Sequence, residues 1–146
     1  MEHYLASCVN RLRRAFVQFS APSLQKLGLT SGLLHFLLYI GRNPGCTPGM
    51  LAAAAGMDSG HTTRSIEKLV TLDYVRRTRS EADHRALHLD LTEAGNAAYE
   101  TLRELFPQWD AQVLGCLSEE DKAQLFRILS IVEENQAAGQ EVGEHV

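Results

Sequence analysis

The side chains best equipped for chemistry in this 146-residue chain are basic and hydroxylic, and they gather in two short stretches. In the first, Ser59, Gly60, His61, Thr63, Arg64 and Lys68 are spaced so that Thr62, Ile66 and Leu69 fall on the opposite side of a helix. The polar set then forms one outward face, weighted to the helix N-terminal half. Ser59 and Thr63 can bond phosphate or base edges, and Gly60 permits close approach of the backbone. Arg64 has the planar fork that suits guanine, and Lys68 suits a phosphate. In the second stretch, Arg79 and Arg85 flank Ser80-Glu81-Ala82-Asp83-His84, a polar tip bearing both signs of charge.

Other chemistries are poorly served. His61, His84 and His88 match no compact ligand spacing, so they read as surface histidines and no metal site is expected. Cys8, Cys46 and Cys116 are far apart and odd in number, which gives neither a disulfide framework nor a zinc site and suits a reducing cytoplasm. Glu81 and Asp83 hint at acid–base work, yet no nucleophile and no glycine-rich phosphate loop accompanies them. The sequence therefore predicts no catalytic residues, no cofactor and no enzyme.

Composition sets the outer bounds. With 45% hydrophobic and 22% charged residues, the chain has the makings of one folded domain, residues 1–146, and falls outside the disordered class. Its net charge of −4 conceals a division. Residues 1–58 carry five basic and two acidic side chains, 59–92 six and five, and 93–146 three and eleven. A local anion-binding surface is thus compatible with an acidic protein. The N-terminus lacks the pattern of a secretion signal, and the longest apolar run, Leu33 to Ile40, is far short of the roughly 20 residues a membrane span needs. A soluble cytoplasmic protein with no membrane partner is expected.

The elements that must position these residues follow from periodicity. Leu5, Val9, Leu12, Phe16 and Phe19 recur at helical steps, predicting a helix over 2–20 that Pro22 interrupts or kinks, with a short piece to Leu27. A second helix, about 32–41, is apolar on most sides and must be buried. Thr47-Pro48 opens a third, to about Ala55, and Asp58 or Ser59 caps a fourth, to about Leu72. These two short helices around a glycine turn make a helix-turn-helix. Leu87-His88-Leu89-Asp90-Leu91 alternates as a half-buried strand, and pairing with the strand 74–79 makes a hairpin with the charged tip at its end. Thr92 caps a long helix towards Leu117, bent at Pro107; Ser118 caps the last, which frays from Gln136.

This order, mainly α with one small β-hairpin, is that of a winged helix-turn-helix DNA-binding protein. Over about Leu5 to Val132 the sequence also resembles the MarR family of bacterial transcriptional regulators. The resemblance is carried by Gly28-Leu29-Thr30, Asp58-Ser59-Gly60, Leu69 with Tyr74-Val75-Arg76-Arg77, the wing Arg79 to Arg85, and Leu89-Asp90-Leu91-Thr92-Glu93-Ala94-Gly95. The chain departs from the family pattern at Asp73, where glycine is usual, which would reshape that turn. It departs again at polar Thr62 and Ser65, which would loosen the recognition helix.

The resemblance implies a DNA-binding part at 29–92 between dimerisation helices at 1–27 and 93–137, and a homodimer that binds a palindromic promoter site on double-stranded DNA as a repressor. Recognition helices would then sit about one DNA turn, roughly 34 Å, apart. Leu5, Val9, Leu12 and Phe16, with Trp109, Val113, Leu125, Ile128 and Val132, are the interface candidates. It places Arg85 in or beside the minor groove, with Asp83 holding it. It also implies release by a small aromatic or phenolic ligand between the two parts, for which Arg14, His35 and Tyr39 are the candidates. Two other readings remain open: a cysteine-based oxidant-sensing repressor using Cys8, and a winged-helix interaction module that does not bind DNA.

Overall fold

The computed structural model describes residues 4–83 and 85–143 of the chain; the start of the expected first helix and the tip residue His84 lie outside them. Among the described residues, seven helices and two strands follow in the order α1 (Leu5–Lys26), α2 (Ser31–Arg42), α3 (Pro48–Ala55), α4 (Ser59–Thr71), β1 (Val75–Arg79), β2 (Leu87–Leu91), α5 (Glu93–Arg103), α6 (Leu105–Leu114) and α7 (Glu119–Gly143). The chain groups into two compact units, Met1–Phe106 and Pro107–Val146.

In the first unit, α2 is the central post. Leu34, Leu37 and Ile40 are almost wholly buried, and Leu24 of α1, Leu51 of α3, Leu69 of α4, Leu89 of β2 and Leu102 of α5 complete the same core. Burying such leucines supplies most of the driving force, about 1.5–3 kcal/mol for each. Turn chemistry decides where the helices begin. The Thr47 side chain accepts the Met50 amide at 3.2 Å with Pro48 at the first helical position, and Gly56 ends α3 at φ 62°. The Thr92 hydroxyl oxygen accepts the Gly95 amide at 2.9 Å and so starts α5.

β1 and β2 pair antiparallel, in register from Val75 opposite Leu91 to Arg79 opposite Leu87. A third segment joins them: Cys46 in the turn before α3 forms an isolated bridge with Leu89, and the Gly45 carbonyl meets His88 Nδ1 at 2.8 Å. The bridge occupies the edge of β2 that β1 leaves free, and His88 and Asp90 are half-buried where the alternation alone predicts exposure.

The structure corrects five expectations. α1 runs through Pro22 to Lys26 without interruption; Ser20 and Leu24, both buried, anchor the turns on either side, and only the donor that exposed Pro22 lacks is lost. The predicted long helix from Thr92 is two helices that divide at Glu104, because the Pro107 ring cannot pack against the Arg103 carbonyl. α7 continues past Gln136 to Gly143. The turn at Asp73 keeps the left-handed conformation, φ 62°, and the Thr92 hydroxyl donates to its carbonyl. Thr62 and Ser65 are buried without penalty: Thr62 Oγ1 donates to the Asp58 carbonyl at 2.9 Å, and among the described residues no buried side-chain polar atom lacks a partner.

In the second unit, Ser118 Oγ accepts the Asp121 amide at 3.1 Å and starts α7, with Glu119, Glu120 and Asp121 in its first turn. Phe126, Ile128, Ile131 and Val132 remain exposed along it, as do Leu5, Val9 and Leu12 on α1. Trp109, Val113 and Leu125 are half-covered. Phe16 instead stacks on Phe106, with ring centroids 5.3 Å apart, and so belongs to the rim of the first unit's own core. No helix among the described residues is long and apolar enough to cross a membrane.

Candidate nucleic-acid interface

α4 owes its orientation to its cap and its apolar stripe. Asp58 Oδ1 accepts the His61 amide at 2.8 Å, and that bond, more than any other cause, holds the Asp58 carboxyl below its ordinary range. Thr62, Ser65, Ile66 and Leu69 turn into the core. Ser59, Gly60, Thr63, Arg64 and Lys68 are consequently exposed together on the outer face. The Thr63 hydroxyl donates to the Ser59 carbonyl at 2.8 Å, so Thr63 presents an oxygen with its own proton already used. A cleft of about 530 Å³ follows the flank of α4 past Arg64, Glu67 and Lys68 to Gly28 and Thr30.

His61 departs from this row. It is half-buried, and its ring lies 5.9 Å from that of Phe36 on α2. Both rings line a cleft of about 560 Å³ that also takes in Arg13, Phe16, His35 and Met57. Of the three residues expected to hold a small ligand, His35 is at this cleft, exposed. Tyr39 lines a recess of about 70 Å³ that shares His35 and Phe36 with it. Arg14 is elsewhere, with Arg11 and Gln18 on another side of α1; its neighbour Arg13 faces the cleft instead. One residue is 100° of helix, so only the packing of Phe16 and Ser20 decides which arginine turns inward.

The wing tip is closed by its own backbone. The Ser80 amide bonds the Ala86 carbonyl at 3.1 Å, the Ala86 amide bonds the Asp83 carbonyl at 3.0 Å, and Ser80 Oγ accepts the Ala82 amide at 3.3 Å. Asp83 Oδ1 accepts the Arg85 amide at 3.0 Å, so what Asp83 fixes is the main chain of Arg85. Arg79 and Arg85 are exposed at either side of the tip, and Arg76 and Arg77 are exposed on β1. Basic side chains on the helix and on the hairpin thus belong to a single folded unit.

The cysteines differ sharply. Burial, aided by the Asp90 carboxylate, pushes the Cys46 thiol up from its usual range. Cys8 on α1 is half-buried and accepts a hydrogen bond from Arg11 Nη2 at 3.4 Å, and Cys116 is exposed. Among the described residues no three His, Cys, Asp or Glu side chains converge as a metal-ligand set.

Comparison with known proteins gives this geometry a family. The sequence model of the MarR family matches residues 27–86, from the turn before α2 to the end of the wing tip. The HTH-type transcriptional regulator BilQ of Clostridium symbiosum (strain WAL-14163) is 43% identical over 129 residues, covering 88% of this chain and 90% of BilQ. Among solved structures, a MarR transcriptional regulator from Methanosarcina mazei Go1 superposes with a TM-score of 0.85 at 25% identity, covering 94% of this chain and 99% of that one. Streptococcus pneumoniae FabT, in a structure with DNA, shares the fold with a TM-score of 0.77 at 24% identity over 92% of this chain and 94% of its own. With 43% identity to a relative over nearly the whole length, and a fold shared with these solved structures, the chain belongs to the MarR family of non-enzymatic, dimeric DNA-binding transcriptional regulators.

Proposed function

We propose that the chain is a repressor that binds a palindromic promoter site as a dimer and is released by a small aromatic or phenolic anion. The observation that carries the reading is the exposed row Ser59, Gly60, Thr63, Arg64 and Lys68 on α4, in one folded unit with Arg79 and Arg85 of the wing. In this reading the N-terminal half of α4 enters the major groove, Arg64 meets a guanine, Lys68 meets phosphate, and Arg85 reaches the minor groove. Ser59 and Thr63 complete the helix contacts, and Asp83 sets the course of the wing. FabT, which shares the fold, has been solved in complex with DNA, and this supports DNA as the partner. Exposed apolar side chains on α1 and α7 supply the subunit contact.

The ligand reading is supported by the cleft of about 560 Å³, where Arg13, His35 and His61 offer charge and donors beside the rings of Phe16 and Phe36. Because His61 belongs to the first turn of α4, an occupant touching it has a direct hold on the reading helix. A differential affinity for the bound and released shapes is all the coupling requires.

The deciding experiment is binding of the purified, reduced protein to DNA upstream of its own gene across a salt series, with Arg85→Ala as control. Selective binding that falls steeply with salt and is lost in the variant is expected. Absence of selective binding at low salt, with the cleft shown empty by native mass spectrometry and Cys8 reduced, would sink the reading and favour an interaction module.

A further inference from the structure

Asp58 and Arg64 approach one another over the one residue in the first turn of α4 that has no side chain. A Cβ placed on Gly60 would lie 3.2 Å from Asp58 Oδ1 and 3.3 Å from Arg64 Nη1. The guanidinium therefore folds back towards the start of the helix, and it shares the space above Gly60 with the capping carboxylate. The two stop short of a direct ion pair, yet Arg64 is second to the His61 amide among the influences that lower the Asp58 carboxyl.

We propose that Asp58 is a positioning residue for base recognition: it keeps the Arg64 guanidinium gathered over the first turn of α4, and Gly60 leaves the space in which it is held. The inference rests on the reading above that Arg64 meets a base edge. An arginine on an open helix face samples many rotamers, and ordering it on DNA erodes the discrimination its fork provides. A carboxylate nearby but unbonded biases the guanidinium without consuming its donors, which stay free for guanine O6 and N7. The same carboxylate repels phosphate. Asp58 thus favours base reading and weakens binding to arbitrary sequence, so its removal has two opposite effects. A purely capping role leaves base preference unchanged, because asparagine caps a helix as well as aspartate does.

The test is selection of preferred sites from randomised duplex DNA by the full chain and its Arg64→Ala, Asp58→Asn and Gly60→Ala variants, with affinity for a fixed arbitrary duplex measured alongside. Arg64→Ala identifies the base pair that Arg64 reads. Asp58→Asn is expected to relax preference at that same base pair by roughly three- to tenfold while binding the arbitrary duplex more tightly, and to relax no preference further in an Arg64→Ala background. Gly60→Ala is expected to relax it too, although alanine favours helix formation and keeps the fold. If Arg64→Ala relaxes one base pair and Asp58→Asn leaves it unchanged, the positioning role is overturned and the base-reading role stands. If Arg64→Ala alters no preference, base reading by Arg64 fails and the positioning role fails with it.

Discussion

A methyl group added to Gly95 would lie 1.9 Å from the carbonyl oxygen of Tyr74. The first turn of α5 is pressed against the backbone that leads from α4 into the wing, and Tyr74 in turn donates its hydroxyl to the Leu27 carbonyl at 2.7 Å. Three segments distant in sequence are fixed at this one point. Because the obstruction is backbone, no side-chain rotation relieves it. Gly95→Ala is expected to cost about 3 kcal/mol or more, at or beyond the upper end of ordinary overpacking. Urea denaturation followed by circular dichroism measures it, and a loss under about 1 kcal/mol would show that α5 can shift freely.

Asp73 occupies the left-handed region that its neighbours in the turn demand, at φ 62°. An L side chain there carries a steric cost of roughly 1–2 kcal/mol, partly offset in Asp73→Gly by the greater freedom glycine has when unfolded. The substitution is expected to stabilise the protein by about 0.5–1 kcal/mol, read as a rise in the denaturation midpoint.

The Asp58 cap has a definite pH dependence. Its folded carboxyl titrates below its ordinary value of 3.8. Its contribution is therefore fully present above the unfolded value and is lost as pH falls through the folded one. The stability of the native protein relative to Asp58→Asn should fall as pH drops below about 4, and a constant difference from pH 6 to pH 3 would contradict the assignment.

Arg64 and Lys68 should separate by their effect on DNA. Arg64→Ala is expected to lose about 1–3 kcal/mol at one base pair and to leave others alone. Lys68→Ala should weaken all sequences alike and reduce the salt slope by about 1. Fluorescence anisotropy across salt concentrations, on cognate and single-substituted sites, distinguishes them.

The thiols should alkylate in order of access. Cys116 is exposed, Cys8 half-buried and Cys46 buried with its thiol raised by burial and Asp90. Timed maleimide labelling with mass spectrometry is expected to show Cys116 modified first and Cys46 last. If peroxide before labelling protects Cys8 and also releases DNA, the oxidant-sensing reading gains weight over the ligand reading.

Most of the reading unit was legible in the residues because its signals are local. Thr47-Pro48, Asp58 and Thr92 each specify a helix start through one side-chain oxygen and the amide three residues on, and each occurs where the sequence places it. The exposed row of α4 follows from helical period once Ile66 and Leu69 are buried. What escaped depends on contacts distant in sequence. Nothing near His61 announces that its ring will settle on Phe36, and nothing near Arg13 announces that it, not Arg14, will face the cleft. The cover that Cys46 and Gly45 give to β2 is likewise invisible to an alternating pattern. At Pro22 a local rule predicted a break, and burial on both sides overrode it.

That stitch between Cys46 and Leu89 has a mechanical meaning. It fastens the return strand of the wing to the turn that launches α3, so in the reading proposed above the helix-turn-helix and the wing meet DNA coupled to one another. An extra base pair between the contacts of α4 and those of the wing would have to be absorbed by bending the DNA. The same insertion at the centre of a palindrome would be met by the joint between subunits, which makes tolerance to spacing a direct gauge of how stiff that joint is.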